Sequence, residues 1–235
     1  MHFLQFSNMF EIMSSTNYYD NINLDLLQAI PNSLGKILEL GCGAGALGAR
    51  YKSVNPITYW CGLEVVKEQA IIASSRIDQV ICTDIEANFP SFAFGEFDAL
   101  VIGDVLEHLK DPWDVLQKLV GYIKPSGLIF ICIPNVGHWS VVSNLVAGNF
   151  TYEDSGILDR THLRFFTGRS MIELLNQANI EITNIVPRKI IGNEDQFIKF
   201  CESMKAFCDT FGIEFEHMKD RTSVLQYVFT GFRIS

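Results

Sequence analysis

No two of the six cysteines stand as a C-x-x-C pair, and none of them has the spacing of a metal-ligand set. That argues against a disulfide framework. Cys61, Cys82 and Cys132 fall inside strand-like runs, where a free thiol behaves as a small buried hydrophobe, so a reduced, cytoplasmic protein is expected. Long apolar runs are missing too. Nothing approaches the roughly 18 residues of a membrane span, and the first 15 residues lack the basic start and small-residue cleavage site of a secretory signal. Excess positive charge is absent, with 18 Lys and Arg against 27 Asp and Glu. A dedicated nucleic-acid binder neutralises phosphates with Lys and Arg, so nucleic acid is disfavoured as a partner. There is no internal repeat and no low-complexity linker.

What is present is a rhythm. Apolar runs at 36–41, 58–64, 79–84, 97–103 and 127–134 are short and bounded by Gly, Pro, Asp or Asn. Their nearly continuous apolar character predicts strands covered on both faces. Helical stretches are expected at 45–53, 66–75, 111–122 and 169–178, followed by a strand at 181–187, a helix near 194–210 and a last strand at 223–232. This alternation predicts an α/β fold, a Rossmann-like doubly wound sheet of mostly parallel strands with helices on both faces and ligands at the strands' carboxyl ends. Residues 1–34 read as a helical addition, with a helix around 20–30 and a role as lid, and residues 35–235 as the main domain. Within it, 135–168 is an unusually long connection on the ligand side and a candidate wall of a site.

The segment ILELGCGAGALG at 37–48 runs from a strand into Gly41, Gly43 and Gly45, with Gly48 on the helix that follows. Glycines there let the backbone turn sharply and approach a ligand. The pattern also satisfies a dinucleotide fingerprint, so the glycines alone leave the ligand open. Acids supply discrimination. Glu39 would repel a pyrophosphate but suits the ammonium and sulfonium of S-adenosylmethionine. Glu64, closing the second strand, is placed to accept from ribose hydroxyls. Asp84, closing the third, is placed for an adenine amino group, with the Ile85 N–H reaching the ring.

With these segments in view, the chain resembles a class I S-adenosylmethionine-dependent methyltransferase over about 35–186. The closer resemblance is to bacterial small-molecule enzymes that pair D-V-L-E-H (104–108) with I-P-N-x-x-H (133–138) and L-D-x-T-H-L-R-F-F-T (158–167). It implies cofactor contacts from Glu39, Gly41, Cys42, Gly43, Gly45, Glu64, Val65, Asp84, Ile85 and Asp104, and a terminal strand running antiparallel between its neighbours. It also implies a small-molecule acceptor, and a place in a multidomain protein or a multi-enzyme pathway.

The segment after the fourth strand sets the chemical question. In a helical turn, Asp104, Glu107 and His108 share one face. They read as helix punctuation, as substrate contacts, or as part of a cation site. The last reading follows a resemblance to small-RNA 2′-O-methyltransferases and ubiquinone-pathway O-methyltransferases, which implies a divalent cation on Asp104, Glu107, His108 and His162, with Asp104 standing where those families carry Glu. Metal-free catalysis is the favoured alternative, through His138, His108, His162 or Asp104; His138 ends the fifth strand and is a candidate general base. Arg160 and Arg164 flank His162 as anion contacts or as partners of Asp154 and Asp159. The expected function is O-methylation of a small hydroxyl-bearing substrate. N-methylation, a nicotinamide-dependent oxidoreductase and an inactive cofactor-binding module are the alternatives.

Overall fold

The computed structural model describes residues 22–234. Seven strands form one sheet in the order β3-β2-β1-β4-β5-β7-β6. β1 (Lys36–Leu40), β2 (Tyr59–Glu64), β3 (Gln79–Cys82), β4 (Phe97–Gly103) and β5 (Ile123–Pro134) are parallel neighbours. β7 (Val224–Arg233) runs antiparallel between β5 and β6 (Ile180–Lys189). The central strands are buried on both faces, and for that reason their sequences do not alternate.

Two apolar layers cover the sheet. α1 (Leu24–Ala29), α2 (Ala46–Lys52) and α3 (Lys67–Ala73) pack Leu26, Leu47, Tyr51 and Ala73 against Ile37, Trp60, Val101, Cys132 and Val228. On the opposite face α4 (Pro112–Gly121) and α6 (Gly168–Gln177) bring Val115, Leu116, Leu119, Met171 and Leu174 to Leu38, Leu100, Ile131 and Phe229. The caps are local and readable. The Asp111 side chain accepts from the Asp114 N–H with Pro112 in the first turn, and Thr167 and Ser170 form a reciprocal capping box at α6.

A third apolar cluster stands apart from the sheet. α5 (Trp139–Val146), α7 (Glu194–Phe211) and α8 (Phe215–Thr222) join through Trp139, Phe197, Phe200, Cys201, Cys208 and Met218. Neither α5 nor α8 is expected from the sequence. α5 begins at a His cap rather than at Ser, Thr, Asp or Asn, and its β-branched run imitates strand or loop. β5 also starts four residues before its apolar run, where exposed Lys124, Pro125 and Ser126 extend the strand without burial. The helix anticipated over 20–30 is shorter, capped by Asn23 and ending at Ala29. Residues 1–21, which hold most of the anticipated addition, lie outside the described residues. Among the described residues no helix is long and apolar enough to cross a membrane.

The strand order reverses between β1 and β4. Connections run outward to β2 and β3 on one side and to β5 on the other, so the loops after β1 and β4 flank a crevice at the switch point. The glycine loop and the D-V-L-E-H segment are those two loops.

Candidate active site

The glycine loop is shaped by its neighbours. Gly41 has φ +69°, and a Cβ there would stand 2.4 Å from Val105 Cγ2, so the Val105 side chain of the segment after β4 packs directly on the glycine loop. The Gly41 and Cys42 N–H groups donate to Leu63 O at 2.8 and 3.1 Å. Glu64 accepts from the Gly43 N–H at 2.8 Å through one oxygen and from the Val66 N–H at 2.8 Å through the other. Its carboxylate thus clamps the loop after β1 to the loop after β2, and each oxygen keeps a lone pair for a further donor. Cys42 is buried against Gly62, and Gly45, with φ +76°, caps α2. Val65 is exposed beside Glu64. Asp84 is exposed and accepts from the Glu86 N–H at 3.0 Å, while Ile85 is buried beneath it.

Glu39 is more enclosed than a solvated strand end. Its carboxyl accepts from the Trp60 indole N–H at 2.7 Å and is buried. Burial pushes its pKa up to about 8, against the pull of the Trp60 bond, and the Glu64 charge adds to the rise. The unfolded chain gives up this proton near 4.5 while the folded chain keeps it to about 8. Glu39 therefore costs no stability below pH 4.5, and its penalty grows as pH rises to about 8, reaching the order of a few kcal/mol. Glu39→Gln keeps an acceptor for Trp60 and removes the titration. Urea melts between pH 5 and pH 8 are expected to show a flatter stability profile for the variant and a gain at the alkaline end. An unchanged slope would mean that Glu39 is ionised throughout.

At the crevice's other wall, the turn after β4 is a single 3-10 turn, Leu106–His108. It gathers Glu107, His108 and His162, with one ligand atom from each lying within 4.8 Å of the others. The end of the long connection supplies His162. The Glu107 carbonyl accepts from the Leu163 and Arg164 N–H groups at 2.8 and 3.0 Å, which pins residues 162–164 to the turn. His162 Nδ1 donates to Ile157 O at 2.9 Å, which leaves its Nε2 facing Glu107 Oε1 at 4.0 Å. His108 Nδ1 faces Thr161 O at 3.3 Å and Thr161 Oγ1 at 3.1 Å, which leaves its Nε2 open as well. Asp159 in turn holds Thr161 by its N–H and its hydroxyl.

Charge and burial point the same way. Glu107 is 1% exposed, and its Oε2 has no hydrogen-bond partner among the described residues. Burial raises its pKa well above the usual carboxylate range, and Asp104's charge raises it further. Burial lowers the pKa of His108, as does His162. Two imidazoles whose Nδ1 atoms are held by oxygen partners and a buried carboxyl with an orphan oxygen form a donor set suited to a divalent cation. The carbonyl partners on the far ring nitrogens are the outer shell that such ligands carry.

Two expected residues stand elsewhere. Asp104 adopts a left-handed φ of +53° and is not part of this cluster. Its Oδ1 accepts from Gln226 Nε2 at 2.7 Å. Its carboxyl is turned inward, and burial raises its pKa against the pull of Cys132, Arg188, Asn23 and His162. His138 caps α5. Its Nδ1 meets Ser140 Oγ at 2.8 Å and its Nε2 meets Ile190 O at 3.1 Å, so both ring nitrogens are engaged by structure. Arg160 pairs with Asp154, and Arg164 donates to the Lys110 and Leu163 carbonyls. Sequence reasoning missed Gln226, Arg188 and Thr161; only their positions in the fold connect them to the site.

A family model described as a methyltransferase domain matches residues 14–185. Among curated proteins, the ubiquinone biosynthesis O-methyltransferase of Haemophilus ducreyi is 29% identical over 107 residues, which is 43% of this chain and 45% of that protein. The protein of the same name from Dechloromonas aromatica is 23% identical over 172 residues, 70% of each chain. The chain spans about half the length of the first curated relatives it matches. Among solved structures, a SAM-dependent methyltransferase from Archaeoglobus fulgidus superposes with a TM-score of 0.59 at 15% identity, covering 86% of this chain and 87% of that one. One from Thermotoga maritima gives 0.60 at 16%, covering 89% and 88%. At these identities the likeness carries the fold.

Proposed function

The chain belongs to the methyltransferase domain family, and from that premise we propose that it moves a methyl group from S-adenosylmethionine to a hydroxyl oxygen of a small molecule. The observation that carries this reading is the convergence of Glu107, His108 and His162, with an unpartnered buried oxygen, on a turn that touches the glycine loop. The names of the curated relatives, O-methyltransferases, support the choice of oxygen over nitrogen.

When bound, S-adenosylmethionine supplies an electrophilic methyl group on a sulfonium. Gly41 and Gly45 let the loop turn in left-handed conformations pressed against Val105 and Ala73, and Glu64 fixes the loop while offering spare lone pairs. We assign the donor's ammonium to Asp104, one residue from the Val105 methyl that Gly41 abuts, in place of Glu39, whose carboxyl is buried on the Trp60 indole. Glu107 and the Nε2 atoms of His108 and His162 would hold a divalent cation, whose chemistry is to lower the pKa of an acceptor hydroxyl. Two imidazoles with one carboxylate suit manganese or zinc better than magnesium, which prefers an all-oxygen set. The chain's remaining task is orientation, because the hydroxyl must be presented in line with the methyl group.

The test is transfer of a labelled methyl group to a panel of vicinal-diol, phenolic and amine acceptors, with and without a chelator. Transfer to hydroxyl acceptors, lost on chelation and restored by Mn²⁺ or Zn²⁺, is expected. Transfer confined to amines would overturn the choice of oxygen, and transfer indifferent to chelation would overturn the cation.

A further inference from the structure

One charged chain runs from α1 through β6 and β7 to Asp104. Asp25, in the first turn of α1, pairs with Arg188 Nε from β6. Arg188 also donates through Nη1 to Gln226 Oε1 on β7. The Gln226 amide, with its oxygen so committed, turns its Nε2 to Asp104 Oδ1 at 2.7 Å. Asn23, the α1 cap, donates to Cys132 Sγ at 3.1 Å, and the Asp104 N–H donates to Cys132 O at 3.1 Å. Leu26 packs so closely on the end of β4 that a Cβ on Gly103 would meet its Cδ2 at 2.9 Å. Four elements therefore converge on one carboxylate, held in a left-handed backbone conformation that an aspartate adopts only at a cost.

Such an arrangement is more than a fold needs. Deleting the chain and packing α1 with Leu26 alone would bury the same apolar face. Keeping an arginine there instead holds the Gln226 amide in one orientation, and with it the direction of Asp104 Oδ1.

We infer that Arg188 and Gln226 are positioning residues for Asp104, and that α1, through Asp25, is a working part of the donor site rather than a detachable addition. The inference rests on the reading of Asp104 as a donor contact. It extends that reading to Asp25, Arg188 and Gln226, the last 122 positions away along the sequence.

The experiment is a double-mutant cycle read by calorimetric affinity for S-adenosylhomocysteine, with thermal midpoints measured alongside. Asp104→Asn is expected to weaken binding ~10-fold, the size of one charge-assisted hydrogen bond. Arg188→Gln and Gln226→Leu are expected to weaken it several-fold each, with Arg188→Lys recovering part of the loss. In the Asp104→Asn background, Arg188→Gln is expected to add nothing, because a positioning residue acts only through the group it positions. Asp25→Asn should act in the same direction but weakly, ~2-fold, since its ion pair is partly solvated. Multiplicative effects of Arg188→Gln and Asp104→Asn would make the chain structural and overturn the inference. If Asp104→Asn alone left the affinity unchanged, the reading of Asp104 itself would have failed, and the two failures are distinguishable.

Discussion

Glu107→Gln is expected to make the metal-free protein more stable and nearly inactive. The wild-type carboxyl is 1% exposed, has an oxygen without a partner, and lies under the influence of Asp104's charge. A buried polar group in that condition costs about 1–3 kcal/mol, and more when it ionises. Glutamine is neutral and of the same shape, and its amide can donate toward His162 Nε2. Urea unfolding at pH 8 should therefore give a higher midpoint for the variant. The same change removes the only anionic ligand of the three-donor cluster. Losing a mere outer-shell partner costs about 10–100-fold in metal affinity, so losing this ligand should cost at least ~100-fold, with methyl transfer falling alike. Opposite signs on stability and activity mark a residue retained for function. A destabilised variant with normal turnover would assign Glu107 to the core.

Gly41→Ala is expected to disable donor binding with a single methyl group. Its left-handed φ of +69° costs an L-residue about 1–2 kcal/mol. The new Cβ would also lie 2.4 Å from Val105 Cγ2, a distance no pair of carbons holds. Because Val105 sits in β4's outgoing turn, relief must come from moving either the glycine loop or the 104–108 segment. Either movement shifts the 104–108 segment relative to the glycine loop. Affinity for S-adenosylhomocysteine should fall ~100-fold, equivalent to about 2.7 kcal/mol, while far-ultraviolet circular dichroism remains native. Binding within a factor of three of wild type would show that the two loops do not form one pocket.

Much of this was legible in one dimension. The seven strands lie within a few residues of the apolar runs, most closely in β1, β2 and β4, where burial on both faces leaves unbroken hydrophobic segments. The glycine turn was readable because it is local to one strand end, whereas the Glu64 clamp on the Gly43 and Val66 N–H groups joins two loops and left no local signal. Glu107, His108 and His162 were visible as residue types, but their convergence depends on the Glu107 carbonyl pinning residues 163 and 164. Asp104 shows where reading fails. A helical turn would have put it on one face with Glu107 and His108, but its left-handed backbone turns it to Gln226, 122 residues on. His138 shows a second kind of failure. An unanticipated helix starts at that residue and spends both ring nitrogens on Ser140 and Ile190.

Titration of the metal-free protein with Mn²⁺ or Zn²⁺, followed by calorimetry in wild type and His162→Ala, tests the three-donor centre most directly. One ion per chain in wild type, lost in the variant and bound with proton release as pH falls, is the predicted result. No ion bound by wild type, or undiminished binding by His162→Ala, would contradict it.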